Sequence, residues 1–148
     1  MRWTPVKEIE NLYQTTTSSS SDLLSADAKP LKLARGRHFD LHIIVDVGDA
    51  LEVEISVGGI SVSCDVEAKE LRCAGCTAPL EFKDGKLNLR LLLDRICIEI
   101  FAESGLVYMP LAVIPDAEND LITIRAMGGA ATVETFECHE LKSIWPKS

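Results

Sequence analysis

Apolar and polar residues alternate along most of the chain from about residue 31 onward. In the segment 50–59, four aliphatic residues at odd positions alternate with polar residues, and Gly58-Gly59 follows. A period of two places successive side chains on opposite faces of a strand, so this segment predicts a half-buried strand closed by a turn. The same criteria predict further strands at 39–47, 60–66, 70–74, 79–83, 87–93, 96–100, 106–114, 120–127 and 131–145.

The phase of this alternation changes between residues 93 and 96. Leucines occupy odd positions from 87 to 93, whereas isoleucines occupy even positions from 96 to 100. Without a break, such a shift would turn every later side chain to the wrong face. We therefore expect a turn or bulge at Asp94-Arg95, with Glu99 on the polar face of the following strand.

The first thirty residues lack this pattern. The segment TPVKEIENL (4–12) predicts a short helix or an extended connector, and TTTSSSSD (15–22) predicts a loop. The expected organisation is a connector and loop over 1–30, followed by a single domain over 31–148. About ten short strands, with no convincing amphipathic helix, predict an all-β, antiparallel two-sheet β-sandwich or a barrel.

Composition narrows the range of partners. The 148 residues suit one domain, and the net charge of −8 disfavours nucleic acid or an anionic membrane surface. No apolar run reaches the length of a membrane span. The N-terminal segment is polar and charged, so we predict no signal peptide and leave the compartment open.

Three carboxylates could do chemistry, because glycoside hydrolysis uses pairs of such groups. They are Asp94, Glu99 and Glu103, and their separations cannot be obtained from sequence. The simpler interpretation is a turn cap for Asp94 and a solvent-facing strand position for Glu99.

Cysteines and histidines give no metal or cofactor prediction. Cys73 and Cys76 form one CxxC, but a structural zinc site needs four ligands, and five cysteines do not make a disulfide framework. We interpret this pair as strand or turn residues. The three histidines, His38, His42 and His139, are scattered and form no ligand motif. Trp3 and Trp145 lie near the termini, where we expect them to pack against other surfaces.

The segment LRLLLDRICIEIFAESGLVYMPL (89–111) resembles the C-terminal β-sandwich of glycoside hydrolase family 32, the invertases, levanases and fructosidases. The matching positions are Asp94, Arg95, Glu99, Phe101 and Gly105. The segment 4–12 is similar to that family's connector, and ELKSIW (140–145) is similar to its last strand. The resemblance implies a concanavalin-A-like jelly roll with no cofactor.

The family's catalytic signatures belong to a separate β-propeller and are not matched here. Asn119-Asp120 is followed by leucine and not by the proline of the nucleophile signature. Glu137-Cys138 repeats the letters of the acid/base signature, but it lies in the predicted last strand, so we do not transfer that role. The chain leaves no room for a five-bladed propeller beside the sandwich.

The resemblance therefore implies a non-catalytic accessory module that packs on and stabilises a catalytic propeller in the same or a separate chain. The alternative is a free-standing lectin-like module that binds fructan or another sugar, with rings available from Tyr13, Tyr108 and the two tryptophans. A third hypothesis is an independent glycosidase that uses Asp94 and Glu99. A homo-oligomer also remains open.

Overall fold

The structure of this chain is a computed structural model that describes residues 13–116 and 118–141. The predicted connector at 4–12, both tryptophans and residues 142–145 of the ELKSIW segment lie outside the described residues.

Strands make up most of the described chain, with a short 3-10 turn at Glu103–Gly105. This agrees with the all-β prediction. The twelve strands are β1 (Tyr13–Leu24), β2 (Leu31–Arg35), β3 (Phe39–Asp46), β4 (Glu52–Val57), β5 (Ile60–Asp65), β6 (Glu70–Cys73), β7 (Cys76–Pro79), β8 (Lys86–Leu93), β9 (Cys97–Ala102), β10 (Val107–Ala112), β11 (Leu121–Met127) and β12 (Ala131–Leu141).

The strands form two six-stranded sheets, and neighbouring strands pair antiparallel. Sheet A has the order β1-β12-β3-β8-β9-β10, and sheet B has the order β2-β11-β4-β5-β6-β7. Neither sheet closes on itself, so the architecture is a sandwich and not a barrel. The prediction of an antiparallel two-sheet β-sandwich is confirmed.

The core lies between the two sheets and is largely aliphatic. In β4 and β11, buried and half-buried positions alternate residue by residue, as the period of two predicts. Fully burying one such leucine or isoleucine contributes about 1.5–3 kcal/mol. The largest fully buried side chains are Phe39, Phe136, Leu41, Ile43, Ile55, Leu71, Leu87, Leu89, Leu91, Leu93, Ile98 and Ile100.

The phase change near residue 94 is a hairpin turn between β8 and β9. Leu93 pairs with Ile98, and both face the core. Between them, the Asp94 N–H donates to the Cys97 carbonyl at 3.0 Å. Ile96, which continues the apolar phase in the sequence, lies in the turn and is 68% exposed. The predicted turn at Asp94-Arg95 is confirmed.

The loop prediction for 15–22 is wrong, because these residues lie within β1. This strand pairs with β12 along almost its whole length at the edge of sheet A. Serine and threonine occupy both of its faces, so no alternation of apolar and polar residues marked it. Ser19, for example, pairs with the buried Phe136 and therefore faces the core. Pairing with a distant strand, which the sequence does not show, stabilises the segment.

The predicted strand at 79–83 is also incorrect. β7 ends at Pro79 in sheet B, and the chain then crosses to sheet A to begin β8. A segment that passes between sheets cannot stay in the ladder of either one. The Asp84-Gly85 turn does form, closed by a 3.0 Å hydrogen bond from the Lys86 N–H to the Lys83 carbonyl.

The two ends of the sandwich differ, and β1 begins at one of them. Tyr13 pairs with Leu141, whose N–H donates to the His38 carbonyl, and Phe39 pairs with Leu93. We call this the entry end, and it includes the turns at 36–38, 94–96 and 113–116. The opposite end, called the far end, includes the turns at 80–85 and 103–106.

Candidate functional site

The most buried charge among the described residues is Asp40 on the outer face of sheet A, which is 2% exposed. Arg90 of the neighbouring β8 donates to both carboxylate oxygens, with Nε–Oδ1 2.8 Å and NH2–Oδ2 2.6 Å. The Tyr13 hydroxyl donates a third hydrogen bond to the same carboxylate. This two-bond guanidinium geometry is the strong form of an ion pair.

The electrostatics of this cluster favour a structural role. Hydrogen bonding to Asp40 raises the pKa of Arg90, and burial together with Asp40 raises the pKa of Tyr13. The Tyr13 ring also stacks on His139, with centroids 3.9 Å apart. Each proton is held more firmly than in water. The cluster therefore joins the start of β1 to the middle of sheet A and does not prepare a group for proton transfer.

Glu99 and Phe101 of β9 lie on the same outer face and contact one residue of β10. The Tyr108 hydroxyl donates to Glu99 Oε1 at 2.6 Å, and its ring stacks on Phe101 at 4.9 Å. The hydrogen bond to Glu99 raises the pKa of Tyr108 to about 12. Both residues of the Glu-x-Phe motif thus hold β10 against β9.

Asp94 lies in the hairpin turn, where its Oδ1 accepts the Arg95 N–H at 2.7 Å. The carboxylate thus caps the backbone N–H of the next residue within its own turn. The turn forms one wall of a cleft of about 350 Å³ at the entry end, which we call the entry cleft. The lining residues are Gly36, Arg37, His38, Gly58, Leu93, Asp94, Arg95, Ile114, Pro115, Asp116 and Asn119.

Two large apolar side chains are exposed beside the entry cleft. Ile96 is 68% and Ile114 is 87% exposed. They belong to adjacent segments, because the Val113 N–H donates to the Ile96 carbonyl at 2.9 Å. An exposed isoleucine is common on its own, but these two lie at the same end of the sandwich, and we refer to them together as the apolar patch.

Glu103 lies at the far end in a strained conformation. Its φ of 54° is in the left-handed region, which a residue with a Cβ seldom adopts. Its Oε1 accepts the Glu81 N–H, and burial raises the pKa of its carboxyl. The hydrogen bond holds the 80–85 loop beside the 103–106 turn.

The three candidate carboxylates are held in different ways. Asp94 is in a turn at the entry end, Glu99 is on the outer face of sheet A, and Glu103 is at the far end. Asp94 already accepts a backbone N–H of its turn, and Glu99 already accepts a tyrosine hydroxyl. The turn-cap position of Asp94 and the polar-face position of Glu99 agree with the simpler interpretation.

The other residue pairs that resemble catalytic signatures are also structural in their contacts. Glu137 is on the outer face, whereas the neighbouring Cys138 is buried in the core, where burial raises its pKa to about 12. The Asp120 carboxylate pairs with Arg35 at 2.8 Å on the surface, and the Asn119 side chain accepts the Leu121 N–H.

Cysteines and histidines are likewise dispersed. Cys73 and Cys76 are free thiols that pair across the two-residue turn between β6 and β7, and burial raises the pKa of Cys73 to about 11. His38 lines the entry cleft, while His42 bonds to Asn88 at 2.8 Å. Across 13–116 and 118–141, no group of three or more His, Cys, Asp or Glu side chains could hold a metal ion. No helix in that part of the chain could cross a membrane.

Sequence reasoning missed the Asp40–Arg90 pair. Asp40 occupies an ordinary polar position in an alternating strand, and Arg90 occupies another, so each alone predicts a solvent-facing side chain. Their proximity follows from the β3–β8 pairing, which joins segments fifty residues apart in sequence.

Fold and site together define a two-sheet β-sandwich domain whose charged motif residues hold turns and strands in place. The sequence profile of glycosyl hydrolases family 32, C terminal, matches residues 60–140, more than half of the chain. The chain belongs to this C-terminal domain family.

Whole proteins of known activity contain similar segments. A levanase from Bacillus subtilis (strain 168) is 32% identical over 69 residues, which is 47% of this chain and 10% of the levanase. The chain thus matches only about a tenth of that relative's length.

Solved structures confirm the fold. The exo-inulinase from Aspergillus awamori superposes with a TM-score of 0.80 at 15% identity, over 97% of this chain and 33% of that one. Fructan 1-exohydrolase IIa from Cichorium intybus gives a TM-score of 0.72 at 12% identity, over 96% of this chain and 38% of that one.

Proposed function

We propose that this chain is a non-catalytic accessory module that packs on a family 32 catalytic propeller through its entry end and stabilises it. The observation that supports this most directly is the apolar pair Ile96 and Ile114 beside the entry cleft. β1 begins at the same end, so a propeller that precedes this domain would lie close to that patch.

The entry cleft adds polar groups to the patch. Asp94, Arg95 and Asp116 line it beside the apolar Leu93 and Pro115. An apolar centre with charged groups around it is the usual composition of a specific protein interface. The matched levanase and the superposed inulinase both contain much more chain than this domain, which agrees with a role beside a larger partner.

The absence of catalysis is part of the proposal and rests on the contacts of the carboxylates. Asp94 already binds a turn N–H, and Glu99 already binds a tyrosine hydroxyl. We expect the purified chain to hydrolyse neither sucrose nor levan. Hydrolysis that is lost in Asp94→Asn or Glu99→Gln would contradict this part.

Packing is tested by mixing the chain with the propeller of the levanase relative, expressed without its own sandwich. We expect a complex in size-exclusion chromatography and a higher melting temperature for the propeller. The double variant Ile96→Asp/Ile114→Asp should lose both effects, because charged groups would then face an apolar surface.

The matched control is Leu23→Asp. Leu23 is 69% exposed, but it lies near the end of β1 that is away from the entry end. This variant should bind the propeller as the unaltered chain does. Equal binding by the Ile96/Ile114 variant, or no complex with the unaltered chain, would overturn the packing proposal.

A further inference from the structure

The outer face of sheet A has two clefts that the packing proposal does not use. One, of about 470 Å³, lies at the far end and is here called the far cleft. The other, of about 430 Å³, lies beside the hydroxyl-rich β1 and is called the edge cleft. The far cleft is lined by Ile44, Glu81, Phe82, Lys83, Asp84, Lys86, Asn88, Glu103 and Leu106.

The two clefts lie side by side on the outer face of sheet A, and we refer to them together as the groove. Ile44 of the far cleft pairs directly with Thr135 of the edge cleft. His42 of the edge cleft is bonded to Asn88 of the far cleft, with Nε2–Oδ1 2.8 Å. From β1 through β12 and β3 to β8, the groove crosses three strand spacings, which is roughly 14 Å. A groove of this length suits an oligomer better than a single small molecule.

The serines of β1 shape the edge cleft. Ser18 and Ser20 project from the outer face of β1 beside Glu137 and Thr135, and both serines are exposed. Such short side chains leave an open trough along the edge of the sheet. Their hydroxyls both donate and accept hydrogen bonds.

The chemistry of the groove favours a neutral ligand rich in hydroxyl groups. Its polar groups mix hydroxyls, an imidazole, an amide and carboxylates, while Ile44 and Leu106 supply apolar surface. Lys86 is already paired with Glu134 at 3.0 Å, so Lys83 is the other lysine of the groove. The carboxylates that line the groove outnumber this one lysine, and their negative charge disfavours an anionic ligand. A sugar ring has one apolar C–H face and hydroxyls around its edge, and it matches this lining.

Glu103 and Glu81 both line the far cleft, one from each of two loops. The Glu103 carboxylate holds the Glu81 N–H, so the two loops that wall the far cleft are fixed relative to each other. A preformed wall lowers the entropic cost of binding.

We propose that this groove binds a neutral oligosaccharide chain across strands β1, β12, β3 and β8. The function is separate from packing on a propeller. The groove lies on the outer face and toward the far end, so it stays open when a partner covers the entry end.

The test is an amide-resolved NMR titration of the full chain with inulin-derived, levan-derived and malto-oligosaccharides at millimolar concentrations. We expect at least one of them to shift amides of these four strands and of the 80–85 loop. His42→Ala and Asn88→Ala should each weaken binding about 5- to 10-fold, as expected for one lost hydrogen bond. Ser20→Glu, which fills and charges the trough, should abolish it.

The matched control is Thr77→Ala, at an exposed position on the edge of sheet B, and its binding should not change. Unchanged melting temperatures will show that each variant is folded. The proposal is overturned if none of the three oligosaccharides shifts these amides, if the shifts map elsewhere, or if all three groove variants bind like the control. The groove variants should still bind the propeller, so the outcome is independent of the packing test.

Discussion

Replacing Arg90 with methionine should destabilise the sandwich far more than replacing an ordinary surface arginine. The change removes both hydrogen bonds to Asp40 and leaves a carboxylate that is 2% exposed without its counter-ion. Breaking a fully buried ion pair in this way costs about 3–5 kcal/mol. Because the Arg90 side chain is 31% exposed, water screens part of this loss, and we expect about 2–3 kcal/mol.

Urea unfolding followed by circular dichroism measures this difference, which corresponds to a fall in melting temperature of about 6–10 °C. The double variant Asp40→Leu/Arg90→Met should recover much of the loss, since it no longer leaves a buried charge unpaired. The double-mutant cycle therefore separates the cost of the unpaired charge from the cost of altered packing.

Arg125→Met is the matched control. Arg125 also pairs with a carboxylate on a neighbouring strand, Glu54, at 3.0 Å, but both side chains are more exposed, at 40% and 23%. We expect this variant to lose less than about 1 kcal/mol. The reasoning is refuted if Arg90→Met costs no more than Arg125→Met, or if the double variant is as unstable as the sum of its single changes.

Two further predictions concern other parts of the fold. The chain has two tyrosines, Tyr13 and Tyr108, and each donates to a carboxylate, so tyrosinate absorbance of the folded chain should rise only well above pH 10. Burial and the Asp40 hydrogen bond raise the folded pKa of Tyr13, and the Glu99 hydrogen bond raises that of Tyr108 to about 12. The resulting contribution to stability is therefore complete below pH 10 and is lost as pH rises through the folded pKa values. A folded-state transition near pH 10 for both rings would contradict this. Gly129→Ala should destabilise the chain by more than about 2 kcal/mol, since its Cβ would lie 2.1 Å from the Asp49 carbonyl oxygen. Gly36→Ala, whose Cβ would meet nothing nearer than 3.5 Å, is the control in thermal melts, and equal effects would refute the clash.

Strand pattern and turn chemistry predicted much of the fold because they are local properties. The phase change around Asp94 required a turn whatever the rest of the chain did, and the turn is present. Asp84-Gly85 also formed its turn, with both residues at positive φ. These features depend on a few neighbouring residues, which the sequence displays directly.

The incorrect or missing predictions share a different cause: each depends on strand pairing between segments that are far apart in the sequence. β1 was predicted as a loop because serine and threonine on both faces gave no period, and its stability comes from β12, more than a hundred residues away. The segment 79–83 has a strand-like composition but passes between the two sheets. Asp40 and Arg90 were missed for the same reason, since only the β3–β8 register brings them together. Local patterns do not contain this information.

The position of β1 also relates the two proposed surfaces to each other. Tyr13, the first described residue, donates to Asp40 and stacks on His139, so the start of β1 is fixed at the entry end. A propeller on that side would meet Ile96 and Ile114, whereas the serines farther along β1 would still border an open groove. If both proposals hold, an oligosaccharide in the groove and a propeller at the entry end are bound at the same time. Binding both to one domain raises the local concentration of each at the other.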